Sequence, residues 1–172
     1  GKLVCAYREG EHDRIVYRFF DGADWGEERH EMTGHHREAG MALATYHGRL
    51  MCVYAWVNDY HMWCTTYDGT RWKEEAVRVP NVSTSTAPSL ALYKGRLYCA
   101  YKDAESHEVR VTYCSTTEWS GASETIPGAK TGTPPSIAVY KGQLYCAYKD
   151  QFTTIRYLAY DGTRWTPLSQ VI

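Results

Sequence analysis

The sequence predicts an all-β protein assembled from tandem copies of one unit, on three observations. The septet Gly1-Lys2-Leu3-Val4-Cys5-Ala6-Tyr7 returns as Gly48–Tyr54, Gly95–Tyr101 and Gly142–Tyr148, each 47 residues after the last. Trp25, Trp72 and Trp119 keep the same 47-residue step, and Trp165 follows after 46. Pro88-Ser89-Leu90-Ala91-Leu92-Tyr93-Lys94 returns as Pro135-Ser136-Ile137-Ala138-Val139-Tyr140-Lys141, with Gly40–His47 a looser first copy. Repeats of this length made of short strands are the pattern of a β-propeller, in which each unit is a four-stranded blade packed between its neighbours.

The third unit shows the elements in order. Ser89–Tyr93 is a short apolar run closed by Lys94-Gly95, and Leu97–Tyr101 is a second run ending at Lys102-Asp103. Val109–Cys114 is a third, rich in β-branched residues, and a weaker fourth follows Trp119 and ends near Ile126-Pro127-Gly128. Runs this short between turn residues read as strands. No window carries a sustained helical period. In the second run Leu97, Cys99 and Tyr101 point one way and Tyr98 and Ala100 the other, and both sets are apolar. A strand covered on both faces has that pattern, and stacked blades supply the cover.

Four full units (4 × 47 = 188 residues) exceed the 172 present, and the shortfall lies mainly at the start. The Pro-Ser-Ile-Ala-Val-Tyr strand occurs three times and the Gly-Arg-Leu-Tyr strand four times, so the first blade is expected to lack one strand. A single domain over 1–172 is expected, with blades at about 1–38, 39–85, 86–132 and 133–172. Three assemblies stay open: a four-bladed ring with one three-stranded blade, a ring shared by several chains, or part of a larger ring. An unpaired strand edge invites a second chain, so self-association through the incomplete blade is one expected partnership.

The bulk numbers exclude other classes. Net charge is −1 with pI near 6.7, which gives no basic footprint for nucleic acid. No apolar run is long enough to span a membrane. The compartment is left open, leaning to secretion. The 15 Tyr, 6 Trp and 3 Phe suit blade interfaces and also suit stacking on sugar rings.

Cys5, Cys52, Cys99 and Cys146 are the repeat cysteines and read as small buried hydrophobes. Cys64 and Cys114 lie on the next strand, where Cys52 with Cys64, or Cys99 with Cys114, could face each other across a hairpin. His30, His35 and His36 with Glu28, Glu31 and Glu38 read as a polar loop between blades, in no familiar metal-ligand spacing. No metal and no cofactor are expected. Asn81-Val82-Ser83 is a glycosylation triplet in an expected surface loop.

Pro88 to Lys102, followed by Tyr-Asp-Gly-Thr-Arg-Trp at 67–72 and 160–165, resembles the tandem repeats of bacterial sialidase-like propeller proteins over nearly the whole chain. Asp68–Trp72 and Asp161–Trp165 look like shortened Asp-boxes, a structural turn in sialidases. The strand order is also similar to fucose-binding propeller lectins and, more loosely, to tectonin and tachylectin-type lectins. In the fucose lectins an Arg, a Glu and turn tryptophans hold sugar between blades. This chain keeps the turn aromatics Phe20 and Trp25, Tyr67 and Trp72, and Tyr160 and Trp165. The repeat cysteine stands at the Arg position, and Tyr17, Cys64, Val111 or Tyr157 at the Glu position, so fucose specificity does not carry over.

The resemblance implies a carbohydrate-binding propeller with repeated weak sites between blades, its partners glycans or glycoproteins. Avidity from repetition needs no strong single site. The candidate glycan-binding residues are Trp25, Trp72, Trp119, Trp165, Tyr67 and Tyr160, with the strand-end pairs Lys102-Asp103 and Lys149-Asp150. The tryptophans equally suit packing of the outer strands, and the polar pairs equally suit solvated strand ends. A non-catalytic protein-binding scaffold is the alternative function. A sialidase-like glycoside hydrolase fragment ranks third, because Arg110 and Arg156 are the only repeat-related arginines on the third strands and no nucleophile or general-base constellation accompanies them; no catalytic residue is assigned.

Overall fold

A computed structural model describes residues 3–9, 14–27, 30–36, 38–56, 58–116 and 118–172. They form four antiparallel sheets in chain order. The first holds β1 (Leu3–Glu9), β2 (Arg14–Phe20) and β3 (His30–His36). The second holds β4 (Glu38–Tyr46), β5 (Arg49–Trp56), β6 (His61–Tyr67) and β7 (Val77–Ser83). In the third, β8 (Ser89–Tyr93), β9 (Arg96–Lys102) and β10 (Glu108–Ser115) are followed by β11 (Glu118–Trp119) and β12 (Glu124–Lys130), both paired with β10. The fourth holds β13 (Ser136–Tyr140), β14 (Gln143–Lys149), β15 (Ile155–Tyr160) and β16 (Gln170–Val171).

Each sheet is a blade, and the architecture is that of a β-propeller. The first blade has three strands, as the repeat count predicts. Among the described residues it has no counterpart of β4, β8 and β13, which are the innermost strands and pack side by side, β4 on β8 and β8 on β13. β1 lies against β4 in their place.

Local sequence sets each hairpin. β4–β5, β8–β9 and β13–β14 turn on His47-Gly48, Lys94-Gly95 and Lys141-Gly142, with φ of 47 and 72, 46 and 75, and 45 and 74 degrees. Positive φ at both central residues makes a two-residue turn whose twist matches the strands, and glycine at the second position removes half the steric cost.

The core lies between the sheets. Leu97, Cys99 and Tyr101 face the second sheet with Met62 and Val79, while Tyr98 and Ala100 face the fourth with Leu144 and Leu158. β9 is therefore covered on both faces, as its sequence requires. At 25 cal/mol per Å², each such buried aliphatic or aromatic side chain contributes about 1.5–3 kcal/mol.

One expectation is corrected. The His/Glu-rich segment is strand for most of its length, not a loop: Val16 pairs with Glu31 and Tyr17 with His30, and Met32 is fully buried. A single apolar residue among polar ones was enough to anchor it. The cysteines are all free. Cys52 lies opposite Thr65 and Cys64 opposite Val53, which puts the two thiols on opposite faces of the sheet. Cys99 and Cys114 share a face but sit opposite Thr112 and Leu97. Of the repeat cysteines, Cys52, Cys99 and Cys146 are buried against the preceding sheet, whereas Cys5, with no such sheet among the described residues, is exposed.

Candidate functional site between the second and third blades

The turns after the third strands come first. The Asp68 carboxylate accepts the backbone N–H of Thr70 (2.8 Å) and Arg71 (2.9 Å). Asp161 does the same with Thr163 (2.7 Å) and Arg164 (2.9 Å), and Asp21 with Ala23 and Asp24. These bonds, that from the fourth residue of the turn foremost, hold Asp68 and Asp161 below the usual carboxylate range. Each turn delivers its tryptophan back to the strand it left: Phe20 bridges Trp25, Tyr67 bridges Trp72 and Tyr160 bridges Trp165. The ring centroids of these pairs lie 5.3, 5.4 and 5.1 Å apart. In the third unit, where the Asp-Gly pair is absent, Trp119 pairs with Cys114 instead.

Three of the four predicted tryptophans are packed. Trp72, Trp119 and Trp165 are 8, 9 and 5% exposed, whereas Trp25 is 43% exposed. Trp72 and Trp165 each border a shallow cleft built from repeat-equivalent residues. One, of about 360 Å³, holds Asp68, Arg71 and Lys73, and the other, of about 410 Å³, holds Asp161, Arg164 and Thr166.

The predicted strand-end pairs lie at the other end of the blade. Trp119 meets the Leu97 end of β9 through Cys114, and Lys102 closes the opposite end, about five residues or ~17 Å away at strand rise. There Asp103 accepts N–H bonds from Glu105 and Ser106 and pairs with Arg110 at 3.7 Å. Asp150 accepts a 2.6 Å bond from Arg156. Burial opposes ionisation of Asp103, but its hydrogen bonds and Arg110 outweigh it and hold the carboxyl low; Arg156 does so for Asp150. Lys102 is 8% exposed, with its ammonium 3.4 Å from the Ser85 hydroxyl, and Lys149 is exposed. Both aspartates thus close turns and engage arginines, apart from the tryptophans.

The cavity that sequence reading missed lies where the second and third blades meet. It measures about 270 Å³ and is bounded by Tyr46, Arg49, Lys73 and, from the third blade, Thr116 and Trp119. Its size is just below the about 300–1,000 Å³ of ordinary ligand clefts. Two interblade bonds frame it: the Tyr46 hydroxyl donates to the Gly95 carbonyl (2.9 Å) and accepts from the Thr116 N–H (3.1 Å). Cys64 lines it beside Trp119, and burial pushes that thiol up to about 12, so the sulfur is neutral. The counterparts of Cys64 are Tyr17 and Val111, and the Trp72 and Trp165 indole nitrogens are buried without a hydrogen-bond partner.

The neighbouring interfaces explain why the cavity exists. Met51 and Thr66 stand where the third blade has Tyr98 and Tyr113. Between the third and fourth blades those tyrosines pack with Tyr160, and Arg96 lies over the Tyr113 ring at 4.5 Å. Between the first and second blades, Tyr17, Phe19, His30, Tyr67 and Trp72 form one ring cluster. Only the deviation of residues 51 and 66 from the repeat signals the gap. Among the described residues no group of three or more His, Cys, Asp or Glu side chains is arranged to hold a metal.

Comparison with solved structures supports the same fold. The chain superposes on AofleA from Arthrobotrys oligospora with a TM-score of 0.67 at 10% identity, covering 99% of this chain and 53% of that one. It superposes on a point mutant of Aleuria aurantia lectin in complex with Fucα1-6GlcNAc with a TM-score of 0.69 at 11% identity, covering 99% and 57%. A point mutant of the NanB sialidase of Streptococcus pneumoniae matches with a TM-score of 0.58 at 15% identity, covering 85% and 26%. The chain thus spans about half the length of the first two. No family model and no curated protein matches it. The fold is that of the lectin and sialidase propellers.

Proposed function

We propose that the chain is a non-catalytic carbohydrate-binding propeller, one domain over 1–172 with its sites between and beside the blades. The observation that carries this reading is the cavity between the second and third blades. It combines an indole wall, a phenol, threonine hydroxyls and two cations that form no ion pair among the described residues. A sugar site needs an aromatic surface with a few fixed polar groups. The clefts beside Trp72 and Trp165 add repeat-equivalent weak sites, with Arg71 and Arg164 as their donors. A lectin whose structure holds Fucα1-6GlcNAc shares the fold, which favours glycans as the ligand class. Against catalysis, Arg110 and Arg156 are taken up by aspartates. A glycan-array screen of the folded protein tests the reading. Binding confined to a defined sugar class is expected, and a blank array from a homogeneous sample contradicts it.

A second reading concerns assembly. The edge of β1 is open, and beside it runs an apolar groove of about 720 Å³ lined by Leu3, Val4, Phe19, Leu43 and Leu50. It continues past Trp25 and Met41. This is the place of an innermost strand, and the chain itself carries three strands of the fitting type in β4, β8 and β13. We infer that a second copy of the chain covers this edge. Light scattering is expected to give a multiple of the 19.7 kDa chain mass; a monomer at every accessible concentration contradicts it.

A further inference from the structure

The charge of the cavity between the second and third blades is one-sided. Arg49 and Lys73 line it, His47 adds a titratable ring, and no aspartate or glutamate does. The nearest acids in sequence do not line it among the described residues: Glu74 and Glu75 line the neighbouring cleft with Asp68, a cleft that Lys73 also borders, and Glu118 is exposed. Cys64 contributes a neutral thiol rather than a thiolate.

The same positions one blade on are spent differently. Arg96, the counterpart of Arg49, lies over the Tyr113 ring at 4.5 Å. Lys94, the counterpart of His47, donates to the Asp161 carbonyl at 2.6 Å. Ser120 stands at the position of Lys73. Thr66 replaces the tyrosine on which the counterpart arginine stacks, and Lys73 adds a second cation to the same opening. Two like charges at one cavity whose lining carries no acid raise each other's cost, and an anion between them relieves it. The other wall is suited to a sugar rather than to a bare ion. Trp119 offers apolar ring surface, and Thr66 and Thr116 supply hydroxyls.

We propose that this cavity takes a sugar unit bearing an anionic group, a carboxylate or a sulfate, with the ring against Trp119 and the anion between Arg49 and Lys73. The inference rests on the carbohydrate-binding reading and adds the class of sugar. A guanidinium accepts a carboxylate or sulfate in a two-pronged contact, and an ammonium adds a point charge.

The test uses matched oligosaccharides on the full chain. The pairs are a glucuronate-containing oligosaccharide against its carboxyl-reduced form, and a sulfated oligosaccharide against its desulfated form. At least one anionic member is expected to bind roughly tenfold more tightly than its neutral partner, as two partly exposed charge contacts allow. That preference is expected to shrink in high salt, and which pair shows it identifies the anion. The variant Arg49→Gln/Lys73→Gln, changed at two exposed positions, is expected to keep the fold and lose the preference. Equal binding of both members of each pair overturns the acidic class and leaves the carbohydrate reading standing, as does a preference that survives the double variant. Binding of none of the four overturns both.

Discussion

At the scale of the residue, one tryptophan position does two jobs. Trp72, Trp119 and Trp165 are buried between a turn and the preceding blade, whereas Trp25 stands beside an incomplete blade and is half exposed. Trp165→Ala is therefore expected to cost about 3–5 kcal/mol of stability, and Trp25→Ala about 0.5 kcal/mol or less, measured by urea denaturation. The carboxylates give a pH prediction. Asp68, Asp103, Asp150 and Asp161 are all held below their ordinary value of about 3.9. A depressed folded-state value means the native state holds fewer protons than the unfolded one as pH falls. Their stabilisation is therefore complete above the ordinary value and is lost as pH drops through the lower folded-state values. Tm is expected to fall as pH drops below about 4, and the Asp68→Asn/Asp161→Asn variant to show a shallower fall. The thiols are graded by burial. Burial pushes Cys64 and Cys146 up to about 12 and Cys99 further, while Cys5 is exposed. A thiol reagent is expected to modify Cys5 rapidly in the native protein and the buried thiols only on unfolding.

At the scale of the element, the strands were legible because their residues alternate between two apolar faces and end in turn residues. β9 is the plainest case: the two faces read from Leu97–Tyr101 are the two cores it joins. β3 was not legible, since its only buried apolar anchor is Met32 and the surrounding His and Glu residues read as loop. The turn aromatics were found by repetition, and the structure pairs them ring to ring. Repetition could not separate a tryptophan packed under a turn from one lining a cavity. It also hid the gap between the second and third blades, because a search for sameness passes over Met51 and Thr66, whose significance is that they differ. If those two residues open the cavity, Met51→Tyr/Thr66→Tyr should close it by copying the next interface. The variant is expected to be at least as stable as the parent, since it replaces empty volume with packed rings. A large loss of stability would mean that the space is not free.

At the scale of the whole molecule, the account rests on stacked blades and on the interfaces between them. The blade count and the missing strand followed from a 47-residue ruler. What the ruler could not give was which interface is filled and which is open, because that depends on how side chains from two blades meet. The central claim is that the open interface binds carbohydrate. The most direct measurement is a glycan array probed in parallel with the parent protein and with Met51→Tyr/Thr66→Tyr, both checked for native circular dichroism. The parent is expected to bind a defined class of glycan, and the filled variant, equally folded, to lose its strongest signal. An identical pattern from both proteins would place binding elsewhere, and no binding by either would contradict the carbohydrate reading itself.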